Sequence, residues 1–280
     1  MAWTQFDKFK SVKVKQESRH AIVVLARPSK SNALDDTMWT ELPQVFEALD
    51  KMDDVYAIVL GGEGKNFCAG IDTASLEADF INPSTTAQCP ARVRERLLHR
   101  IKSSQHTINA IELCRWPVIA AVQGACFGAG IDIITACDIR YSTNAATFCV
   151  KEVDVAIVAD VGTLQRLPTI VGQGIASELS LTARVIKGEE AKQMGLVTQC
   201  FADETALLQH AHSTAELLAA KSPLATIGTK RVLIHARDHS VSDSLDYVAA
   251  YNAAMLPSRD IQEVFSAVVK GRRQPRFSKL

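Results

Sequence analysis

The sequence predicts an α/β protein, because buried strands alternate with amphipathic helices along its first half. The chain has 280 residues, of which 47% are hydrophobic and 22% charged, and its formal net charge is zero. This composition is typical of a globular protein with a large buried core. The balanced charge argues weakly against nucleic acid as the main partner, because proteins that bind phosphate backbones usually carry a basic excess.

Three apolar runs indicate buried strands. Residues 21–28 (AIVVLARP), 56–64 (YAIVLGGEG) and 117–124 (PVIAAVQG) are rich in Val and Ile, and each ends in turn residues. Residues 35–54, between the first two runs, place apolar side chains at helical spacing, and residues 91–113 do the same before the third. This order of elements favours an α/β fold over an all-β sandwich.

The last part of the chain has a different pattern. Short strands are expected at 147–150 and 196–201, and from about residue 203 the apolar spacing becomes helical. The sequence therefore predicts a core unit over 1–202 and a helical C-terminal subdomain over 203–280. The expected helices of that subdomain cover residues 204–222, 223–237, 242–256 and 258–271.

Two turns rich in small residues follow buried strands: CAGID at 68–72 and GAGID at 128–132. Small residues let the backbone approach a ligand closely and present its N–H groups. If neighbouring strands bring the turns together, the N–H groups of Ile71 and Ala129 converge on one oxygen and form an oxyanion hole. Two tight strand-to-helix turns without a ligand are the alternative, and residue types alone do not decide between them.

Residues 151–162 (KEVDVAIVADVG) place Glu152, Asp154 and Asp160 in an apolar segment. An ionised carboxylate in such surroundings costs several kcal/mol unless something compensates it. Burial and neighbouring acids raise the pKa of a carboxyl group, which makes Asp or Glu a competent acid or base near neutral pH. A catalytic role therefore explains acids here, while we assign Asp154 to a structural or surface role.

Each of these acids also has an ordinary structural explanation. Asp160 precedes a possible helix start and can cap that helix. Glu152 can form an ion pair with its neighbour Lys151 or with Arg140. Asp138 is expected to pair with Arg140 in the same way.

Several of these segments together resemble the crotonase (enoyl-CoA hydratase/isomerase) superfamily. They are RPSKSNALD at 27–35, NFCAGID at 66–72, PVIAAVQGACFGAGIDIITACDIRYS at 117–142 and KEVDVAIVADVGTLQRLP at 151–168. The last two are similar to the Δ3,5-Δ2,4-dienoyl-CoA isomerases in particular. The resemblance covers essentially the whole chain. It implies a crotonase-type spiral of ββα units with a C-terminal helical region that builds homotrimers, commonly paired into homohexamers.

The resemblance also implies an acyl-CoA site. The thioester carbonyl oxygen of the substrate is expected between the backbone N–H groups of Ile71 and Ala129. The family usually has Gly at the position of Ala129, and often at Ala156; alanine keeps the backbone donor unless the position needs a positive φ. The residues expected to line the site are Gly70, Ile71, Asp72, Thr73, Ala74 and Gly130.

Three carboxyl groups match the catalytic positions of the dienoyl-CoA isomerases: Asp132, Glu152 and Asp160. Hydratases have Glu at the first two positions, and the isomerases add the third acid. The implied reaction converts 3,5-dienoyl-CoA to 2,4-dienoyl-CoA in fatty acid β-oxidation. Asp160 takes the proton from C2, Glu152 supplies one at C6, and Asp132 helps to set their protonation. No metal or redox cofactor is expected, because coenzyme A is part of the substrate.

Two other readings remain open at this point. The first is another activity of the superfamily, enoyl-CoA hydratase or Δ3-Δ2-enoyl-CoA isomerase, and the acid at position 160 separates it from the dienoyl isomerase. The second is a binding protein of the same fold, for instance for RNA, with a silent acyl-CoA site. The complete set of three acids and the neutral net charge favour the isomerase.

The chain ends in Ser278-Lys279-Leu280, which is the peroxisomal targeting tripeptide. We therefore expect import into a peroxisome or related microbody through the receptor that reads this signal. The first residues lack the apolar region of a secretory signal, and no run reaches the roughly 18 apolar residues needed to span a bilayer. The seven cysteines form no CxxC pair, so reduced thiols are expected rather than disulfides or a zinc site.

Overall fold

Strands and helices alternate along the chain as the apolar periodicity predicts. The computed structural model describes residues 3–72, 89–271, 275 and 277–280, and these contain nine β-strands and ten α-helices. The strands are β1 (Val12–Glu17), β2 (His20–Leu25), β3 (Ile58–Gly62), β4 (Val118–Val122), β5 (Ala125–Phe127), β6 (Ile139–Thr143), β7 (Thr147–Cys149), β8 (Ile186–Lys187) and β9 (Gln199–Phe201).

Some of the helices begin at a residue whose side chain caps them. The Asp35 carboxylate accepts a hydrogen bond from Met38 N at the start of the first helix, and Asp203 bonds Ala206 N at the start of the seventh. The helices are α1 (Asp36–Asp50), α2 (Pro90–Leu113), α3 (Ala129–Ala136), α4 (Thr163–Val171), α5 (Gln173–Thr182), α6 (Gly188–Gln193), α7 (Glu204–Ala219), α8 (Pro223–His235), α9 (Val241–Met255) and α10 (Arg259–Val269).

The larger sheet has six strands in the order β1-β2-β3-β4-β6-β9, and only the β1–β2 pair is antiparallel. A smaller sheet has the order β5-β7-β8, in which β5 and β7 are parallel. Because β3 and β4 are parallel, their carboxyl ends lie at one edge of the sheet. The chain leaves β3 and β4 at this edge and reaches the two turns of small residues, so the sheet topology places both turns on the same side of the molecule.

Helices cover both faces of the larger sheet. The main core packs one face against α1, α2 and α3 around fully buried side chains such as Phe46, Trp116 and Leu60. On the other face, α7 lies against Val59 and Ala121. A helix that begins at residue 204 therefore contributes to the packing of the sheet, while the division into units at 202 and 203 stays a prediction.

Two further expectations concern the thiols and the membrane. All seven cysteines are free. In the part of the chain that the structure describes, no helix combines the length and the apolar character needed to cross a bilayer.

The expected pairing of Asp138 with Arg140 is wrong. Asp138 Oδ2 lies 2.7 Å from Lys230 Nζ and accepts a hydrogen bond from a backbone N–H of β4. Arg140 instead donates to the backbone carbonyls of Leu196 and Cys137. Sequence proximity suggested the wrong partner because Asp138 faces α8, which lies about ninety residues further along the chain.

Lys230 is the cation of a buried ion pair, and its loss is expected to destabilise the protein. Its side chain is 5% exposed, and Nζ also donates to Trp116 O at 3.0 Å. Replacing one partner of such a pair leaves the other charge uncompensated, so Lys230→Met should lower the free energy of unfolding by about 3 kcal/mol. Urea denaturation measures this, with the exposed Lys221→Met as control. Equal stabilities of the two variants would contradict the assignment.

Candidate active site

The two turns of small residues lie against each other, as the sequence suggested. Cys68 N donates to Ala125 O at 3.0 Å, and Phe127 N donates to Cys68 O at 2.9 Å, so the first turn pairs with β5. A Cβ built on Gly128 would lie 3.6 Å from Gly70 Cα. Gly70 has a φ of 103° and Gly128 has a φ of 51°, and residues with a Cβ rarely adopt such a positive φ.

Each turn presents at least one backbone N–H without an acceptor among the described residues. Leu34 pairs with both neighbours of Ile71: its N–H donates to Gly70 O at 2.8 Å, and its carbonyl accepts from Asp72 N at 3.0 Å. Ile71 N–H is left without an acceptor among the described residues. Ala129 is the first residue of α3, so its N–H has no partner inside the helix and finds none elsewhere in the described chain. Two free N–H groups in adjacent turns are the requirement of an oxyanion hole.

An arginine fixes the first turn. Arg27 Nη2 lies 2.9 Å from Asp72 Oδ2, Nε lies 3.1 Å from Asp35 Oδ2, and Nη1 donates to Ala33 O. The Asp72 side chain is only 12% exposed and faces this arginine. Asp72 therefore holds the turn in place through its carboxylate and adjoins the hole through its backbone.

The remaining predicted lining residues differ in what the structure describes. Gly130 packs tightly, since a Cβ there would lie 3.0 Å from Cys68 O and 3.2 Å from Cys126 Sγ. Its lack of a side chain lets α3 approach the first turn. Thr73 and Ala74 lie outside the described residues.

Asp132 is a fully buried carboxyl group on the first turn of α3. Oδ1 accepts two hydrogen bonds from Thr163, one from N and one from Oγ1, both at 2.7 Å, while Oδ2 has no partner. Burial raises the pKa of Asp132 from its ordinary value of 3.8 to about 6, against the lowering effects of the Thr163 bonds and of Arg166. Asp132 can therefore carry a proton near neutral pH.

Glu152 begins a short 3₁₀ helix, Glu152–Val155, that follows β7. It is buried, its Oε2 has no partner, and its Oε1 would lie 3.5 Å from a Cβ built on Gly128. Burial raises the pKa of Glu152 to about 7, and the negative charge of Asp132 adds to this effect. A carboxyl group with this pKa, beside the second turn, can act as an acid at neutral pH.

Ala156, one of the two departures from the family pattern, lies at the end of this short helix. Ala156 closes it with a φ of 61°, a left-handed conformation that costs roughly 1 kcal/mol for a residue with a Cβ. Ala129, the other departure, is helical and shows no such strain. A positive φ therefore strains Ala156, but it does not strain Ala129, whose N–H is the proposed donor.

Asp160 lies between two cavities and is the most exposed of the three acids. One cavity, of about 280 Å³, is mainly apolar and includes Ile71 and Trp39; the other, of about 490 Å³, is polar. Partial burial raises the pKa of Asp160 above its usual range. Gln105 Nε2 donates to Asp160 O at 2.7 Å and so ties this backbone to α2.

The structural explanations for these acids are not what the structure shows. Gly162, rather than Asp160, is the N-cap of α4, and no side chain caps that helix start. Lys151 pairs with Asp154, which is exposed as expected, and Glu152 therefore lacks the ion pair considered for it.

Comparison with known proteins identifies the family. The family description Enoyl-CoA hydratase/isomerase matches residues 16–279. The chain belongs to this family. Among its curated relatives, the Arabidopsis thaliana protein named Delta(3,5)-Delta(2,4)-dienoyl-CoA isomerase, peroxisomal, is 50% identical over 258 residues, which cover 92% of each chain. The Mus musculus protein named Delta(3,5)-Delta(2,4)-dienoyl-CoA isomerase, mitochondrial, is 42% identical over 97% of this chain and 84% of its own length.

Two solved structures have the same fold as this chain. An enoyl-CoA hydratase from Bacillus anthracis superposes with a TM-score of 0.86 at 26% identity, covering 96% of this chain and 99% of its own. Pseudomonas aeruginosa DspI gives 0.87 at 27% identity, covering 99% and 100%. The predicted crotonase fold is confirmed, while its predicted trimerisation stays a prediction.

Two residues that bond the acids, and an ion pair beside them, were not found from the sequence. Thr163 bonds Asp132, Gln105 bonds the Asp160 backbone, and Arg166 forms an ion pair with Glu112 at 2.8 Å. A threonine at a helix start is a common hydrogen-bonding residue, so Thr163 carried a usable signal. The other contacts join segments more than fifty residues apart.

The buried acids are expected to make the protein less stable as the pH rises. Since the pKa of Asp132 is higher in the folded than in the unfolded state, its stabilising contribution is complete below about pH 4 and is lost as the pH passes about 6. Asp132→Asn keeps an acceptor for Thr163 and should be more stable than the wild type by about 2 kcal/mol at pH 8, with little difference at pH 4.

Chemical denaturation between pH 4 and pH 8 measures this difference. Asp154→Asn changes an exposed acid and is expected to follow the wild-type pH dependence. An Asp132→Asn variant that is less stable than the wild type at pH 8 would show that the ionised carboxylate stabilises the fold.

Proposed function

We propose that the protein isomerises 3,5-dienoyl-CoA to 2,4-dienoyl-CoA in fatty acid β-oxidation. The observation that carries this proposal is the placement of Asp132, Glu152 and Asp160 around two turns with free N–H groups. Relatives at 42–50% identity named Delta(3,5)-Delta(2,4)-dienoyl-CoA isomerase support the choice of reaction within the family.

The reaction needs two proton transfers four carbons apart. In the ionised form, Asp160 accepts the proton from C2, and the electron pair of that C–H bond enters the conjugated system as a dienolate. Glu152, which burial keeps protonated up to about pH 7, donates a proton to C6. The double bonds at C3 and C5 then lie at C2 and C4. Each carboxyl group reaches one end of the diene, which explains why two acids are used.

The negative charge of the dienolate is centred on the thioester oxygen. We place that oxygen between the N–H groups of Ile71 and Ala129, where each fixed donor contributes about 2.7–4 kcal/mol of transition-state stabilisation. The steps move protons and electron pairs within one substrate, so their balance calls for no metal or redox cofactor. Coenzyme A enters as part of the substrate.

Asp132 has a supporting role in this scheme. Its Oδ1 is occupied by the two Thr163 bonds, and burial separates it from the apolar cavity residues. When ionised, it raises the pKa of Glu152 and so keeps the acid protonated. The apolar cavity of about 280 Å³ beside Asp160 is the proposed space for the acyl chain, and its apolar lining residues are Trp39, Ile71, Leu97, Ile101, Ile157, Val158 and Val161.

A direct assay tests the proposal. Purified protein given a 3,5-dienoyl-CoA should produce the ultraviolet absorbance of the conjugated 2,4-dienoyl thioester, with much slower hydration of a 2-enoyl-CoA. Asp160→Asn removes the base and should lower kcat by about 10²-fold or more, because positioned acid–base groups contribute 10²–10⁴-fold. Asp154→Asn, a neighbouring exposed acid, should stay close to wild type.

Other outcomes identify the alternatives. Fast hydration without movement of the diene would make the protein a hydratase. Full activity of Asp160→Asn would refute the assigned base. Absence of turnover together with RNA binding would identify a binding protein.

We also propose that the chain forms a homotrimer or homohexamer through its C-terminal helices. Large apolar side chains of α8, α9 and α10 are exposed in the single chain, among them Leu233 at 63%, Leu245 at 61% and Val268 at 72%. Burying such side chains in an interface is favourable by the hydrophobic effect.

The subcellular location of the protein is a separate proposal, because its relatives are named for different organelles. The Arabidopsis thaliana relative is named as peroxisomal and the Mus musculus relative as mitochondrial. We propose that this chain enters the peroxisome or a related microbody through its import receptor. Ser278, Lys279 and Leu280 form the targeting tripeptide, and all three are exposed.

Deleting the last three residues should abolish this import. A fluorescent protein fused to the N-terminus of the full chain is expected in peroxisomes, and the same fusion without Ser278-Lys279-Leu280 should stay in the cytosol. Fluorescence microscopy with a peroxisomal marker measures the difference, with the tripeptide alone on the fluorescent protein as control. Unchanged import of the truncated fusion, or import into mitochondria, would contradict the proposal.

A further inference from the structure

Arg166 is a nearly buried cation close to the segment that carries Asp160. It lies on the first turns of α4, and its side chain is 11% exposed. It lines the polar cavity of about 490 Å³ that Asp160 also lines. Arg166 takes no part in the proton transfers proposed above, yet neighbouring residues hold its guanidinium in place.

The backbone next to Asp160 is shaped to admit this guanidinium. Gly162 has a φ of 133°, and a Cβ built there would lie 1.9 Å from Arg166 Nη1 and 3.1 Å from its Cζ. The guanidinium thus occupies the place that a side chain at position 162 would take. Gly162 lies two residues after Asp160 and directly before Thr163. The contact between Gly162 and Arg166 therefore positions both the segment that carries the proposed base and the residue that bonds Asp132.

Partners from α2 hold the guanidinium in this place. Nη2 donates to Asn109 Oδ1 at 2.6 Å and to Glu112 Oε2 at 2.8 Å. The other oxygen of Glu112 pairs with Arg237, which follows α8. Burial acts to raise the pKa of Glu112, but the hydrogen bond and charge of Arg166 and the charge of Arg237 outweigh it and lower the pKa. Glu112 is therefore an anion at neutral pH.

Charged side chains from three other segments line the same cavity as Arg166. Glu112 faces it from α2, Asp160 from the segment before α4, and Arg237 and Asp238 from the segment after α8. Beyond the cavity wall, the positive charge of Arg166 favours the ionised form of Asp132 and so lowers its pKa.

We infer that Arg166 is a positioning residue for the reaction: braced by Asn109 and Glu112, it holds residues 160–163 in place and supplies a compensating positive charge to Asp132. The inference rests on the proposed isomerase function. Arg166 acts through Asp132, since an ionised Asp132 keeps Glu152 protonated. Its guanidinium takes part in no proton transfer.

Removing the positive charge should therefore change the pH profile as well as the rate. In Arg166→Met, Asp132 holds its proton to higher pH, and Glu152 loses the neighbouring charge that raises its own pKa. The descending limb of the kcat profile should move to lower pH by about 0.5–1 unit. Loss of the contacts to residues 160–163 should lower kcat on the order of 10- to 100-fold, with a smaller change in KM.

Two further variants separate charge from structure. Arg166→Lys keeps the charge without the planar fork, so it should restore the position of the limb but only part of kcat. Glu112→Gln keeps an acceptor for Arg166 and removes a negative charge, so its limb should move to higher pH. Opposite shifts in Arg166→Met and Glu112→Gln would support the inference. Shifts in the same direction, or none, would overturn it, because a merely structural residue leaves the profile in place.

A measurement independent of turnover completes the test. Carboxyl-carbon NMR of the full-length protein should show a higher pKa for Asp132 in Arg166→Met and a lower one in Glu112→Gln. If Arg166→Met does not fold, Arg166→Lys and Glu112→Gln still provide the comparison. A wild-type protein that fails to isomerise a 3,5-dienoyl-CoA counts against the proposed function alone, whereas unchanged Asp132 pKa values in the variants count against the role of Arg166.

Discussion

The double hydrogen bond between Asp132 and Thr163 joins the two halves of the candidate site. Asp132 lies on α3, whose first residue supplies one of the two free N–H groups, and Thr163 begins α4, directly after the segment that carries Asp160. One buried carboxyl group thus links the oxyanion turn to the proposed base. The second oxygen of Asp132 is buried without a partner, and burial raises the pKa of this carboxyl group.

Several features of the site cost stability and are held by the surrounding packing. Asp132 and Glu152 each bury a carboxyl oxygen without a partner, and Ala156 adopts a left-handed conformation. These costs are local, on the order of 1–3 kcal/mol for an unsatisfied group or a strained backbone. The parallel strands β3 and β4 bury residues on both faces and supply the rigid frame that tolerates these costs. Such costs are expected at a site where function rather than stability selects the side chain.

The sequence predicted those parts of the fold whose signal is local. The strands β2, β3 and β4 and the helices α1 and α2 were found because their own periodicity marks them. β1 was missed because its lysines face solvent, and the two-residue β8 is defined only by its pairing with β7. In the site, the two turns, Glu152 and Asp160 were located from their own segments, and the resemblance to a family added Asp132 and the roles of the acids. The contact of Arg166 with Gly162 and Glu112 follows from the packing of α4 against α2, which a pattern within one segment does not contain.

The three acids differ in burial, and this difference suits the roles proposed for them. Asp132 has no exposed surface and no free path to a substrate, so its charge can act only on its neighbours. Glu152 is 9% exposed and lies beside the second turn, where burial favours the protonated form of its carboxyl group. Asp160 adjoins a polar cavity as well as the apolar one, so after each turnover it can release its proton to water without passing the substrate. A base needs such an exit, and the exposure of Asp160 provides it.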